Sequence, residues 1–337
     1  MSERDRANSS GSSRGRVEGI ASLLIGASAG AAGHNARVRI YPDGGAEVLI
    51  CSRPIFREPG WEARGGAVLP QADLRAHEAE DSMAEAERAG RWLSDGEEPP
   101  KDVANILRAV RRAKARVRLL ARATTSFQYF VTLTLDASKV DRYDEAAVIK
   151  KASAWLSNQV QRRGLAYILV PERHKDGAIH FHGFINGALP LVDSGTMVPP
   201  AGGKPKRPRS RAQRIAWASE GGHLVYNVPA WSFGFSTAIE LYGNRAAAVA
   251  YVCKYIGKQQ AGELPERIGG RWYYSGGELS EPETLYCDLL LDEARVLHPE
   301  GYGFEVPEAK AEYYTYEMEG DDERCRAQTM EEERRKG

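Results

Sequence analysis

No apolar run in these 337 residues approaches the roughly 20 that a membrane-spanning helix needs, which excludes a helical membrane protein. Cysteine is scarce. Cys51, Cys253, Cys287 and Cys325 stand far apart with no C-x-x-C pair, so neither a disulfide scaffold nor a zinc ribbon is supported, and reduced thiols in a cytoplasmic protein are expected. A phosphate-cradling G-x-x-x-x-G-K-[ST] loop is also missing, which excludes a nucleotide-driven motor of that kind. Net charge is absent too, since 46 Lys and Arg balance 46 Asp and Glu. What is present is an ordinary composition, 42% hydrophobic and 27% charged, in a chain long enough for one large domain or two small ones.

The zero net charge hides an asymmetry. Residues 101–258 hold 25 Lys and Arg against 10 Asp and Glu, leaving 21 basic and 36 acidic residues for the rest. A polycation between acidic flanks is the electrostatic footprint of a polyphosphate partner, of which nucleic acid is the commonest.

Along the chain, the first 18 residues are rich in Ser, Gly and Arg and read as disordered. Residues 20–32 resemble a signal peptide only superficially, because Ala and Gly dilute the apolar core and Glu3, Asp5 and Glu18 interrupt the basic head. A hairpin is expected over residues 37–54 around Pro42-Asp43-Gly44-Gly45, an acidic helix over 76–93, and a linker at Glu97-Glu98-Pro99-Pro100. Residues 103–123 form a helix with Leu107, Val110, Val117 and Leu120 toward a core. Its cations, Arg108, Arg111, Arg112, Lys114, Arg116, Arg118 and Arg122, face outward as candidate phosphate contacts.

Next come a strand over residues 130–135, a helix over 144–163, strands over 167–172 and 178–185, and a strand over 233–241. A helix over 244–258 is capped by Asn244 and ends near Gly257, and residues 271–274 are a further strand candidate. The first strand carries Phe130, Thr132 and Thr134 on one face; Thr132 and Thr134 are further candidate DNA contacts. Residues 199–214 are too rich in Pro, Gly and charge to fold alone. The expected organisation is a flexible N-terminus (1–35), an accessory region (36–100), a central domain (101–290) with a basic insertion (195–215), and an acidic tail (291–337). The fold class is α+β, a central antiparallel sheet with flanking helices.

Two constellations carry chemistry. His180 and His182 lie two apart on a strand, so both imidazoles emerge on one face while Ile179, Phe181 and Ile185 point the other way. If the preceding turn is a three-residue loop, Lys175-Asp176-Gly177, Glu172 lies across from His180 on the same face; a two-residue loop turns it to the opposite face. Two imidazoles plus a carboxylate suit a divalent ion acting as a Lewis acid. His174, at the turn, reads as a surface residue.

The second constellation is Tyr251-Val-Cys-Lys254-Tyr255-Ile-Gly-Lys258, in which Tyr251, Lys254, Tyr255 and Lys258 share one helical stripe. Val249, Val252, Cys253 and Ile256 form an opposing apolar stripe, so packing does not require the tyrosines to face inward. A phenol with a pKa near 10 is a poor nucleophile at neutral pH and needs a nearby cation or a polarised electrophile. Two phenols one turn apart can visit one phosphate in succession.

In order, FVTLTL, HFHGF with its upstream Glu, and YVCKYIGK resemble the three motifs of rolling-circle replication initiators of the HUH endonuclease superfamily. The paired tyrosines resemble its two-tyrosine branch, which includes the gene A replication proteins of small single-stranded-DNA phages. The resemblance spans about residues 130–258 and implies an HUH, RRM-like core. It implies Mg²⁺ or Mn²⁺ held by His180, His182 and Glu172, and attack by Tyr251 or Tyr255 on single-stranded origin DNA. The product would be a 5′-phosphotyrosine link and a free 3′-OH, with Lys254 and Lys258 assisting. It further implies a host helicase and polymerase as partners and the cytoplasm of a bacterial host. The alternatives are an HUH transposase or plasmid-mobilising relaxase, and a non-catalytic DNA-binding regulator. The basic insertion lengthens the spacing between the second and third motifs.

Overall fold

Runs of alternating apolar residues fold into two separate antiparallel sheets, giving the expected α+β class. The computed structural model describes residues 33–56, 101–241, 245–258, 264–306 and 310–318. Residues 1–32, the 76–93 helix, the Glu97–Pro100 linker, Asn244 and the last 19 residues of the tail lie outside the described residues.

In chain order the elements are β1 (Ala36–Ile40), β2 (Ala46–Cys51), α1 (Lys101–Ala123), β3 (Phe127–Leu133), α2 (Glu145–Arg163) and β4 (Tyr167–Arg173). Then follow β5 (Ile179–Asn186), β6 (Val192–Val198), α3 (Arg211–Ser219), β7 (His223–Asn227), β8 (Ser236–Glu240) and α4 (Arg245–Cys253). The last are β9 (Tyr274–Gly276), β10 (Glu283–Cys287), α5 (Leu291–Leu297), β11 (Tyr302–Val306) and β12 (Ala311–Met318). The chain divides into two compact units, Met1–Ala89 with Pro282–Gly337, and Gly90–Glu281. No helix among the described residues is long and apolar enough to cross a membrane.

The first unit is a five-stranded sheet in the order β10-β1-β2-β12-β11. Its β1–β2 hairpin turns as its sequence implies, with the Gly44 N–H donating to the Tyr41 carbonyl and Gly44 at φ +80°. Two expectations fail here. β10, inside the expected 101–290 domain, pairs with β1 instead. Residues 291–318, expected as tail, form α5, β11 and β12. The acidic residues mask a strand pattern: Tyr314 and Tyr316 bury in one apolar cluster and Tyr313 in another.

The second unit is a seven-stranded sheet in the order β6-β7-β8-β3-β5-β4-β9. One face packs on α2, where Val131, Leu133, Leu169, Ile179, Phe181 and Ile185 meet Val148, Ala152, Trp155 and Leu156. Asp144 caps α2 by accepting from the Ala147 N–H, and Gly164 closes it at φ +67°. The opposite face packs on α1 and α4, where Ile168, Val170 and Phe184 meet Val110, Val117, Leu120, Val249, Val252 and Ile256. Each fully buried aliphatic side chain of this kind contributes about 1.5–3 kcal/mol relative to exposure. A register shift between Phe127 and Tyr129 sets Phe127 in the second cluster while Tyr129 packs on the first.

Residues 199–214, expected not to fold alone, are held beside an extension of the sheet. β6 pairs with β7 and β7 with β8. Met197, fully buried, exchanges two 2.8 Å backbone hydrogen bonds with Lys206, which ties the basic loop to the edge strand. Ser210 caps α3 by accepting from the Gln213 N–H at 3.1 Å. The expected strand over 233–241 is shortened to β8, and the 271–274 candidate shifts to β9, which pairs with β4.

Candidate functional site

The β4–β5 turn settles which face Glu172 takes. The His174 N–H donates to the Ala178 carbonyl and the Gly177 N–H to the His174 carbonyl, both at 2.8 Å, so the loop is Lys175-Asp176-Gly177. Gly177 sits at φ +87°, the left-handed position such loops need. The Asp176 carboxylate accepts from the Ala178 N–H at 3.1 Å and from Arg142 at 3.1 Å. The register that results sets Glu172 directly opposite His180 and Thr132 directly opposite His182. All four side chains share the α1/α4 face by strand alternation.

His182 is nearly enclosed, at 9% exposure. Its Nε2 lies 3.0 Å from Glu172 Oε2 and its Nδ1 lies 3.1 Å from the Thr132 hydroxyl. The Lys258 ammonium donates to the other Glu172 oxygen at 2.6 Å. Burial alone raises the Glu172 carboxyl, but hydrogen bonds from His182 and Lys258 and their charge outweigh it, and the group lies below its ordinary value. An ionised carboxylate only accepts, so the Nε2 of His182 carries a proton toward it. His180 lies under His174, ring centres 5.1 Å apart, and burial, followed by the neighbouring His174 and His182, lowers its pKa.

The tyrosine helix is set against this pair. Val249, Val252, Cys253 and Ile256 are buried as expected, and the Arg245 guanidinium reaches the carbonyls of Thr124 and Phe127 at 3.1 and 2.7 Å. The α-helix stops at Cys253, short of the expected 258. Beyond it the chain tightens, with Tyr255, Ile256 and Lys258 donating three residues back, and Gly257 takes φ +69°. The Tyr255 ring therefore lies parallel on His182, centres 4.1 Å apart and planes 11° off, with Lys258 Nζ 5.2 Å from its centre. Its hydroxyl donates to the Tyr251 oxygen at 2.6 Å. Burial first, then this donated bond and the nearby Tyr251 and Glu172 charges, raise the Tyr255 pKa strongly. Tyr251 is 47% exposed and packs edge-on against Phe130.

Thus Glu172, His182, Tyr251, Tyr255 and Lys258 come together, joined by Thr132. Lys254 is exposed and takes no part in these contacts. Thr134, past the end of β3, spends its hydroxyl on the Phe235 carbonyl. The outward basic row expected on α1 is largely folded in: only Arg112 and Arg116 are exposed, and Arg116 pairs with Glu281 at 2.5 Å. Arg108, Arg111, Lys114 and Arg118 are partly buried, and Arg111, Lys114, Arg118 and Arg122 are engaged within the protein. The role of Thr132 beside His182 was hidden in the sequence, because its signal is a strand pairing rather than a motif.

By type, two imidazoles and a carboxylate suit a divalent ion. By placement the carboxylate closes on His182 and Lys258, and His180 stands outside that network. Glu172 is taken by His182 and Lys258, and the His180 and His182 ring centres are 6.5 Å apart. Among the described residues no three His, Cys, Asp or Glu side chains gather to hold a metal.

No curated protein and no solved structure matches the chain. Residues 128–260 match the family model of the replication-associated protein ORF2, a span shorter than half the chain that runs from β3 to just past Lys258. The segment that assembles the phenol pair on the His–Glu pair is thus similar to a replication-associated protein family.

Proposed function

We propose that this chain is a rolling-circle replication initiation endonuclease, which nicks single-stranded origin DNA through a tyrosine and rejoins the ends. The observation that carries this reading is the Tyr255 ring stacked on His182 with its hydroxyl bonded to the exposed Tyr251. Similarity to the replication-associated family supports the biological setting.

In the reaction, the Tyr251 oxygen attacks the phosphorus of a DNA phosphodiester and the bond from phosphorus to the 3′ oxygen breaks. The phenol proton ends on the departing 3′ oxygen, leaving a 5′-phosphotyrosine link and a 3′-OH. One ester replaces another, so rejoining needs no ATP, and the 3′-OH is free for a host polymerase to extend behind a host helicase. Tyr251 is the first nucleophile in this scheme, since its oxygen is exposed and accepts the hydrogen bond from Tyr255 that would stabilise its phenolate. Tyr255, held protonated, acts second. Lys258 supplies positive charge beside the Tyr255 ring and Lys254 assists from the exposed side. Glu172, His180 and His182 would hold Mg²⁺ or Mn²⁺, which would polarise a phosphate oxygen. Seating it requires both Lys258 and the His182 Nε2–H to release Glu172, and His182 to turn an unprotonated nitrogen toward the ion.

The test is a labelled single-stranded oligonucleotide library incubated with Mn²⁺ and run on a denaturing gel. Label should stay on the protein, fall by about a hundredfold or more in Tyr251→Phe, and vanish in Tyr251→Phe/Tyr255→Phe. Normal cleavage by the double variant overturns the nucleophile assignment. A DNA-binding regulator would retain no label even as wild type.

A further inference from the structure

The loop between β6 and α3 carries Lys204, Lys206, Arg207, Arg209 and Arg211, all exposed and none in an ion pair among the described residues. The nearby Arg214 is already satisfied by Asp193. No acidic residue falls between Asp193 and Glu220. The array is ordered rather than loose: Pro205 and Pro208 stiffen it, the Lys206 backbone is bonded both ways to buried Met197, and Ser210 begins α3.

Folding does not account for these charges. A Lys and a Pro beside an edge strand discourage edge-to-edge pairing, but one or two suffice. Arg211 opens α3, where a cation opposes the helix dipole.

We propose that this arm is a docking surface for the phosphate backbones of duplex DNA. Five cations without a counter-charge match a polyanion. Between Pro199 and Arg214 there is no aromatic residue, so the arm lacks the stacking platform with which single-strand binders hold unpaired bases. The arm borders β6, four strand spacings from β5, or about 19 Å at roughly 4.8 Å per step. Duplex seated there would start about five to six base pairs from β5, the strand of His180 and His182, at a rise of ~3.4 Å. That relation to a nick rests on the nicking reading above; the duplex contact does not.

Binding is read by fluorescence anisotropy with a labelled 20-base-pair duplex and a labelled 20-nucleotide oligo-dT, against KCl concentration. The full chain carries Tyr251→Phe/Tyr255→Phe so that nothing is cut. Adding Lys204→Gln, Lys206→Gln, Arg207→Gln, Arg209→Gln and Arg211→Gln should weaken duplex binding about tenfold or more. It should also reduce the slope of log affinity against log salt by about 4, at ~0.9 per phosphate contact. Oligo-dT affinity should stay within about twofold. The pairs Lys204→Gln/Lys206→Gln and Arg209→Gln/Arg211→Gln, milder changes should the fivefold variant not fold, should each lower the slope by about 2. Unchanged duplex affinity and slope, or an equal loss on oligo-dT, overturns the proposal. Failure of the nicking reading shows separately, as no covalent adduct from the unsubstituted protein.

Discussion

Glu172 is where the charges of the site meet. Its two oxygens are shared between an imidazole and an ammonium, and a divalent ion would have to compete with the second of these. Lys258→Met is therefore expected to strengthen Mn²⁺ binding, read by titration calorimetry, by roughly fivefold, since a half-exposed ion pair is worth up to ~1 kcal/mol. The same change should weaken adduct formation, so affinity and activity move in opposite directions. Unchanged Mn²⁺ affinity would show that Lys258 does not guard the carboxylate. Acid has a separate effect. The folded-state pKa of Glu172 lies below its ordinary 4.5, so the stability it contributes is complete above about pH 4.5 and is lost as pH falls through the lowered value. Melting curves from about pH 3 to pH 7 should show this acid loss in the native protein and a shallower one in Glu172→Gln.

At the scale of elements, β5 is wedged between β3 and β4. A Cβ built on Gly183 would fall 1.9 Å from the Ile168 carbonyl oxygen, so the step between His182 and Phe184 tolerates no side chain. Gly183→Ala should cost about 3 kcal/mol, measured by urea unfolding, and displace His182 with it. A wild-type midpoint would mean that the strands can separate there at no cost. How far each element could be read from the residues follows from its signals. The H-x-H face and the apolar stripe of α4 were legible, because strand alternation and helical period are local, whereas the residues of the loop through Gly177 fit two lengths. β6 and β7 were not, because each is short and buries one side chain, Met197 and Val225, which leaves no alternation to read. The end of α4 was misjudged because a tightened turn preserves the tyrosine spacing while changing its hydrogen bonds. The cations of α1 were read as outward, yet a helix packed on a sheet and flanked by a neighbouring helix has little outward face.

For the molecule as a whole, the Gly90–Glu281 unit contains its complete sheet and both of its cores. A fragment of residues 90–281 is expected to melt cooperatively and to form the covalent adduct on single-stranded DNA, checked by circular dichroism and the same gel. A fragment that stays unfolded would show that this unit depends on the rest of the chain. The neutral total charge also acquires a meaning at this scale: the unit that carries the phenols holds 28 Lys and Arg against 17 Asp and Glu, and most of the acidic residues lie in the other unit.

The other sheet takes two strands from before that unit and three from after it. On the ribosome this fixes a schedule. A nascent polypeptide halted after residue 281 has already delivered every strand of the phenol-bearing sheet but only the β1–β2 hairpin of its companion, and a lone hairpin is marginal in water. Premature termination would thus release the folded phenol-bearing unit without its finished neighbour, whereas loss of the first strands would spare that unit and deprive the late ones of their mates.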